Sequence, residues 1–163
     1  MIRIMGCPLD GRTGHQAGRH LLAQLYREET GQELPEIQRE TGGKPYFEDC
    51  PWHFSITHTP AHAFCVLSDR PVGIDAEELS RDVRLRLADR ILSPGERKQY
   101  EDAKDKKRAI LTFWVMKEAA AKLTGEGIRG FANHTNFSLD DPRVTEMDGC
   151  IVAVFREGDN YAV

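Results

Sequence analysis

Pro71-Val72-Gly73-Ile74-Asp75-Ala76-Glu77 is the stretch from which the rest of the chain is best read. Side chains alternate faces along a strand, so Val72, Ile74 and Ala76 form one apolar face, while Asp75 and Glu77 share the other at a spacing of about 6 to 7 Å. The apolar face needs a core. Taken alone, the acidic face reads as ordinary solvated strand surface. Its alternative is a site for a hard cation, magnesium or calcium, held by oxygen ligands, and that reading requires a third carboxylate from another element.

The best candidate for that third group is Glu118. The segment from about Asp105 to Leu123 gives the strongest helical pattern, with Ile110, Phe113, Trp114, Met116 or Lys117, and Ala120 or Ala121 sampling a 3.6-residue period before Gly125 ends it. Trp114, Glu118 and Lys122 are spaced four apart and share one stripe, so Lys122 reaches whatever Glu118 reaches. An exposed Glu–Lys pair worth roughly 0.3 kcal/mol would account for this stripe, but not for the neighbouring Lys117.

Further out, Ile2–Met5 predicts a first strand, and a helix follows from Thr13, its N-cap, through Leu21, Leu22, Leu25 and Tyr26 to Gly31. An extended piece at Glu36–Glu40 leads into the turn Gly42-Gly43-Lys44-Pro45. Trp52–Thr57 and His62–Leu67 read as a hairpin joined through Thr59-Pro60. From Arg81 the spacing of Val83, Leu87 and Ile91 predicts a helix, and Ser93-Pro94 starts another. Strands are expected at Asn136–Leu139 and Cys150–Arg156, with turn chemistry at Met147-Asp148-Gly149, and a last strand includes Tyr161. Both halves thus run from a helix to strands, which suggests a two-lobed α+β arrangement.

The bulk composition narrows the function classes. With 40% hydrophobic and 29% charged residues the chain is an ordinary globular sequence, and a net charge of −4 gives no basic footprint for general nucleic-acid binding. The apolar run at Met1–Met5 is too short for a signal-peptide core or a membrane span, so a cytoplasmic protein without membrane attachment is expected. The four cysteines, Cys7, Cys50, Cys65 and Cys150, form no C-x-x-C pair and read as buried free thiols. The six histidines form no metalloprotease-type pair.

Phe54-Ser55-Ile56-Thr57-His58 ends an apolar strand in a hydroxyl and an imidazole, both able to donate to a phosphate, although a lone histidine is more often structural. No nucleophile stands beside a matching base, so a serine-hydrolase triad is hard to build. In order, Gly43-Lys44-Pro45, Phe54-x-Ile56-x-His58, Gly73-Ile74-Asp75-Ala76-Glu77 and Trp114-x-x-Lys117-Glu118-Ala119-x-x-Lys122 resemble the signature of the 4′-phosphopantetheinyl transferases. The resemblance covers about Arg12 to Gly127, and Arg12-Thr13 also resembles a family pair. With 72 residues ahead of Gly73, it is the larger, pseudo-dimeric, surfactin-synthetase-activating type that the spacing resembles, rather than the short trimeric holo-acyl-carrier-protein synthases.

What the resemblance implies is one domain spanning residues 1–163, an α+β fold of two pseudo-symmetric lobes (about 1–70 and 71–163), each a helix on a small antiparallel sheet, with the active site between them. It implies magnesium on Asp75, Glu77 and Glu118, the pyrophosphate of coenzyme A on Lys122 and His58, and the 3′-phosphoadenosine end on Lys44 and Pro45 with Thr57, Thr13 and Arg12. Asp75, Glu118 and Lys122 would carry the catalysis, Glu118 acting as base directly or through a water. The reaction implied is transfer of phosphopantetheine from coenzyme A to a serine of an acyl, peptidyl or aryl carrier protein, by a monomer. The run Lys104, Lys106, Lys107 and Arg108 is a candidate docking face for that carrier.

Three departures from the family pattern stand out. Position 57 is threonine where serine is usual, the segment before Arg12 is too short for a basic helix, and the chain stops soon after Tyr161. A loosened hold on the 3′-phosphate, with use of 3′-dephospho-coenzyme A, is therefore expected. Two rival readings use the same residues: a metal-dependent nucleotide phosphodiesterase with water as nucleophile, and a non-catalytic module that binds coenzyme A or a carrier.

Overall fold

The computed structural model describes residues 1–127 and 134–159. In chain order it contains β1 (Ile2–Pro8), α1 (Gly14–Thr30), the hairpin β2 (Ile37–Arg39) and β3 (Pro45–Phe47), and the hairpin β4 (His53–His58) and β5 (His62–Ser68). It continues with β6 (Val72–Glu78), α2 (Leu87–Ile91), α3 (Pro94–Asp102), α4 (Lys106–Thr124) and the hairpin β7 (Val144–Met147) and β8 (Cys150–Arg156). Helices and small antiparallel sheets are mixed. Two sheets have three strands each, in the orders β1-β5-β4 and β6-β8-β7, and β2-β3 forms a separate ribbon. In both larger sheets the last strand in sequence lies in the middle, and a long helix separates the first strand from the second.

Alternation along the central strands sorts the core into three layers. On β5, Ala63, Cys65 and Leu67 pack against α1 through Ala17, Leu21, Leu22 and Leu25. Phe64 and Val66 point the other way and meet Val72, Ile74 and Ala76 of β6 and Cys150, Val152 and Val154 of β8. On β8, the remaining Ile151, Ala153 and Phe155 join α4. A strand buried on both faces must be apolar on both, as β5 and β8 are. The result is a stack of helix, sheet, sheet, helix, in which the apolar face of β6 fills the middle layer and its acidic face turns toward α4.

Local chemistry sets the element ends. Thr13 and Gln16 form a reciprocal capping box at the start of α1, and Gly31 closes it in the left-handed region at φ 70°. Ser93 and Glu96 repeat the box on α3, with Pro94 in its first turn. Asp105 caps α4, and Gly125 ends it at φ 77°. Asp148 and Gly149 both have positive φ, the requirement of the two-residue turn that matches strand twist, and they join β7 to β8.

Two sequence expectations are corrected. Asn136–Leu139 is not a strand, because side chains of α3 satisfy its backbone. Gln99 donates to the Phe137 carbonyl at 2.8 Å and accepts from the Leu139 N–H at 3.0 Å, while Glu96 accepts from the Phe137 N–H at 3.0 Å. The strand lies instead at β7, whose residues are only half apolar. Helix also does not begin at Arg81; only Leu87–Ile91 is helical there, and Arg81 is drawn back to Glu77. Tyr161 lies outside the described residues. Of the cysteines, all free, Cys65 and Cys150 are buried and Cys7 and Cys50 partly so. Among the described residues no helix is long and apolar enough to cross a membrane.

Candidate active site

Gly73 sets the distance between β6 and α4. A Cβ placed there would lie 2.1 Å from the carbonyl oxygen of Ala119 and 2.5 Å from the amide nitrogen of Leu123, so only glycine lets the helix backbone come down onto the strand. Two residues later on the same face, Asp75 meets the helix at the Glu118–Lys122 turn. The Lys122 ammonium donates to Asp75 Oδ1 at 2.8 Å, and the Thr57 hydroxyl donates to the same oxygen at 3.0 Å. Thr57 arrives there because the edges of the two larger sheets adjoin, with the Ile74 N–H donating to Ser55 Oγ at 3.2 Å.

The stripe read from the sequence is present: Trp114, Glu118 and Lys122 are each half-buried, while their neighbours on α4 are buried. Trp114 donates to Glu77, which also pairs with Arg81. Burial pushes the Glu118 carboxyl above the usual carboxylate range, and the charges of Asp75 and Glu77 add to this while Lys122 opposes it. Burial likewise raises Glu77, with Arg81 opposing and Asp75 adding. Three carboxylates thus feel one another and are faced by two cations, Lys122 and Arg81.

Among the described residues, no three His, Cys, Asp or Glu side chains are gathered, as they stand, closely enough to hold a metal ion. The donor set itself is that of a hard dication: all oxygen, mutually repelling, and one positive charge short of neutral.

A cleft of about 290 Å³ opens beside this group, walled by Gly42–Pro45, Phe54–Ile56, Glu118 and Lys122. A larger cavity of about 510 Å³, walled by Tyr46, Trp52, His53 and Glu157, shares Lys44 and Pro45 with it but holds none of the three carboxylates. Of the two, only the smaller is walled by one of the three carboxylates, Glu118. Lys44 stands on the border of the two, donating to the Leu123 carbonyl at 2.6 Å at the end of α4, where its charge suits the helix dipole. Burial lowers its amine below the usual lysine range, against the pull of Glu40 and Glu157.

The other sequence candidates do not wall this cleft. The His58 ring sits against Gly14 at the start of α1, where any Cβ would come within 2.2 Å of it. Arg12 is engaged by its own loop, donating to the Leu9 carbonyl at 3.0 Å and the Pro8 carbonyl at 3.1 Å, and the Thr13 hydroxyl accepts from the Gln16 N–H. In the basic run, Lys106 donates to the Tyr100 carbonyl at 2.7 Å and Arg108 pairs with Glu146.

Glu96 escaped the sequence reading. It is fully buried with Lys117, 2.7 Å away, and also accepts from the Ser93 N–H and the Thr135 hydroxyl. The pattern Ser93-x-x-Glu96 marks a capping box, but nothing local announces its ion pair across to α4. Arg81, four residues after Glu77, was equally open to notice.

A family model described as the 4′-phosphopantetheinyl transferase superfamily matches residues 71–153, the stretch that holds β6, α4 and all three carboxylates. The chain is 32% identical over 134 residues to a 4′-phosphopantetheinyl transferase, psf-1, of Bacillus pumilus, covering 78% of this chain and 55% of that one. It is 34% identical over 92 residues to a 4′-phosphopantetheinyl transferase of Bacillus subtilis, covering 53% and 39%. Against a holo-[acyl-carrier-protein] synthase of Sodalis glossinidius it is 34% identical over 98 residues, covering 53% and 78%. The chain spans about half the length of the two Bacillus relatives. With the matched region spanning half of its length and the glycine-seated acidic strand at the start of that region, the chain belongs to the 4′-phosphopantetheinyl transferase superfamily.

Proposed function

We propose that this chain transfers the 4′-phosphopantetheine moiety of coenzyme A to a serine of an apo carrier protein and releases 3′,5′-bisphosphoadenosine, as a monomeric cytoplasmic enzyme of one domain. The observation that carries the reading is the meeting of Asp75, Lys122 and Thr57 beside a cleft that Glu118 and Lys44 also enter. The matching connectivity of the two larger sheets supports two pseudo-symmetric lobes, with the substrate held across their junction at β4 and β6.

Asp75, Glu77 and Glu118 would hold magnesium, which supplies charge neutralisation of the pyrophosphate when bound. Lys122 places a cation at the same cleft for the pyrophosphate oxygens, with His58 as a second donor further along β4. Lys44 and Pro45 border the nucleotide end, joined by Arg12 and Thr13. In the reaction, the carrier serine Oγ forms a bond to the β-phosphorus while the bond from that phosphorus to the bridging oxygen breaks, its electron pair leaving with 3′,5′-bisphosphoadenosine. The serine proton passes to Glu118, directly or through a water. Most of the rate comes from alignment and from charge held in place.

The test is mass spectrometry of a panel of apo carriers incubated with the protein, coenzyme A and magnesium. One carrier should gain a single phosphopantetheine, and chelation of the metal should stop the gain. Nucleotide hydrolysis without carrier modification would instead establish the phosphodiesterase reading.

A further inference from the structure

Glu78 ends β6 one residue beyond the acidic pair, and alternation turns it to the opposite face, with Val72, Ile74 and Ala76. That face meets the sheet β1-β5-β4 rather than α4. From the geometry we infer that Glu78 is a positioning residue: its carboxylate pins the turn after β4 to the end of β6, and so sets His58 at a fixed separation from Lys122 for a phosphate-bearing ligand that touches both. This role rests on the coenzyme A site proposed above, and not on transfer to a carrier.

Glu78 Oε1 receives two donors from that turn, the Thr59 hydroxyl at 2.9 Å and the Ala61 N–H at 3.0 Å. Thr59 is 3% exposed, and its hydroxyl oxygen accepts in turn from the His62 N–H at 3.0 Å. The Thr59 N–H closes the turn by donating to the His62 carbonyl at 2.8 Å. A charged acceptor makes hydrogen bonds roughly twice as strong as a neutral one does, so the carboxylate is the strong member of this set.

The offset of the two larger sheets needs such a tie. Phe64 and Val66 meet Val72, Ile74 and Ala76 through apolar contact, which is non-directional and fixes no register. Ser55 supplies one polar anchor by accepting from the Ile74 N–H at 3.2 Å. One anchor is a pivot, and a second stops rotation about it. Thr59 lies four residues beyond Ser55 and Glu78 four beyond Ile74, so the anchors are about 13 Å apart along each strand, and the strands run side by side in one direction. His58 adjoins the second anchor, with its ring resting on Gly14. Lys122 is tied to β6 through Asp75. A ligand held by His58 and Lys122 together therefore depends on the offset that Ser55 and Glu78 set.

Calorimetric titration of coenzyme A, with magnesium present, tests this in wild type, Glu78→Gln, Glu78→Ala, His58→Ala and the Glu78→Ala, His58→Ala double variant. Glutamine keeps an oxygen that accepts both donors; alanine keeps none. Glu78→Ala should weaken affinity about tenfold or more, while Glu78→Gln stays within about threefold of wild type. Once His58 is alanine, Glu78→Ala should cost less than about twofold further, because a tie that acts through His58 has nothing left to place. Amide exchange at Ala61 should quicken about tenfold or more in Glu78→Ala, with exchange in the core of α4 unchanged. Equal affinities in wild type and Glu78→Ala would overturn the role, as would the full loss repeated on the His58→Ala chain or unchanged exchange at Ala61. Should Glu78→Ala not fold, Thr59→Val removes one of the two donors in its place: a loss of about threefold or more supports the role, and none overturns it. If the wild type binds coenzyme A but modifies no carrier, the transferase reading fails and the affinities still decide for or against Glu78. A wild type that binds no coenzyme A overturns both.

Discussion

Helix α4 carries two lysine–carboxylate pairs, five residues apart, and they differ in nearly everything except charge. Lys117 and Glu96 are both fully buried, and Glu96 is saturated by Ser93, Thr135, Phe137 and Lys117 itself. Lys122 and Asp75 keep side-chain exposures of 33% and 10%, and Lys122 walls a cleft. Five residues turn a helix by about 140°, so the two lysines leave it on different faces. One pair ties α4 to α3 and to the segment at Thr135–Phe137, fixing where the helix lies. The other uses that fixed position, presenting its charges where a ligand can reach them. A buried pair fully satisfied by its surroundings has no capacity left for a substrate, and an open pair contributes little to the fold.

The largest expected effect breaks the first pair. Lys117→Met leaves the Glu96 charge buried without its partner and should cost about 3–5 kcal/mol of stability, read from urea unfolding. A second change, Glu96→Gln, should return part of that loss in the double variant. An unchanged midpoint in Lys117→Met would erase the contrast between the pairs.

Next in size is the open pair. Asp75→Ala should reduce carrier modification on the order of a thousandfold, about 4 kcal/mol of barrier, while moving the urea midpoint little, because Lys122 can return to water. A stability loss as large as that of Lys117→Met would show that both pairs are structural.

Gly73→Ala sharpens the comparison by moving α4 without touching either pair. Its methyl would meet helix backbone, which cannot swing aside, so about 1–3 kcal/mol of stability should be lost. Transfer should fall further than that loss of folded protein explains, measured on the fraction still folded by circular dichroism. Normal turnover in the folded fraction would mean that the helix-to-strand distance is not what sets the site. The smallest effect is Arg81→Ala. The Arg81 side chain is half exposed, so its removal should change the midpoint by less than about 1 kcal/mol and raise the metal requirement only modestly.

Local pattern made much of the molecule legible. The capped helices α1, α3 and α4, the hairpin β4–β5 and strands β6 and β8 carry their own periodicity, caps and turn residues, and those signals act over a few residues. The strand expected at Asn136–Leu139 failed because its hydrogen bonds are supplied by Gln99 and Glu96, about forty residues earlier. β7 was missed because an edge strand held by one partner needs little apolar pattern of its own.

The sequence by itself determined which side chains share a face: Asp75 with Glu77, and Trp114 with Glu118 and Lys122. Backbone geometry dictates these groupings wherever the strand and helix lie. Tertiary structure alone decided which faces meet. Contact between Gly73 and the α4 backbone brought Lys122 to Asp75, the Ser55–Ile74 bond set Thr57 on the same oxygen, and the Glu96 pair took Lys117 away from the site. Each of these depends on groups 18 to 50 residues apart. A local pattern cannot encode such contacts, because they arise only when separately formed elements pack.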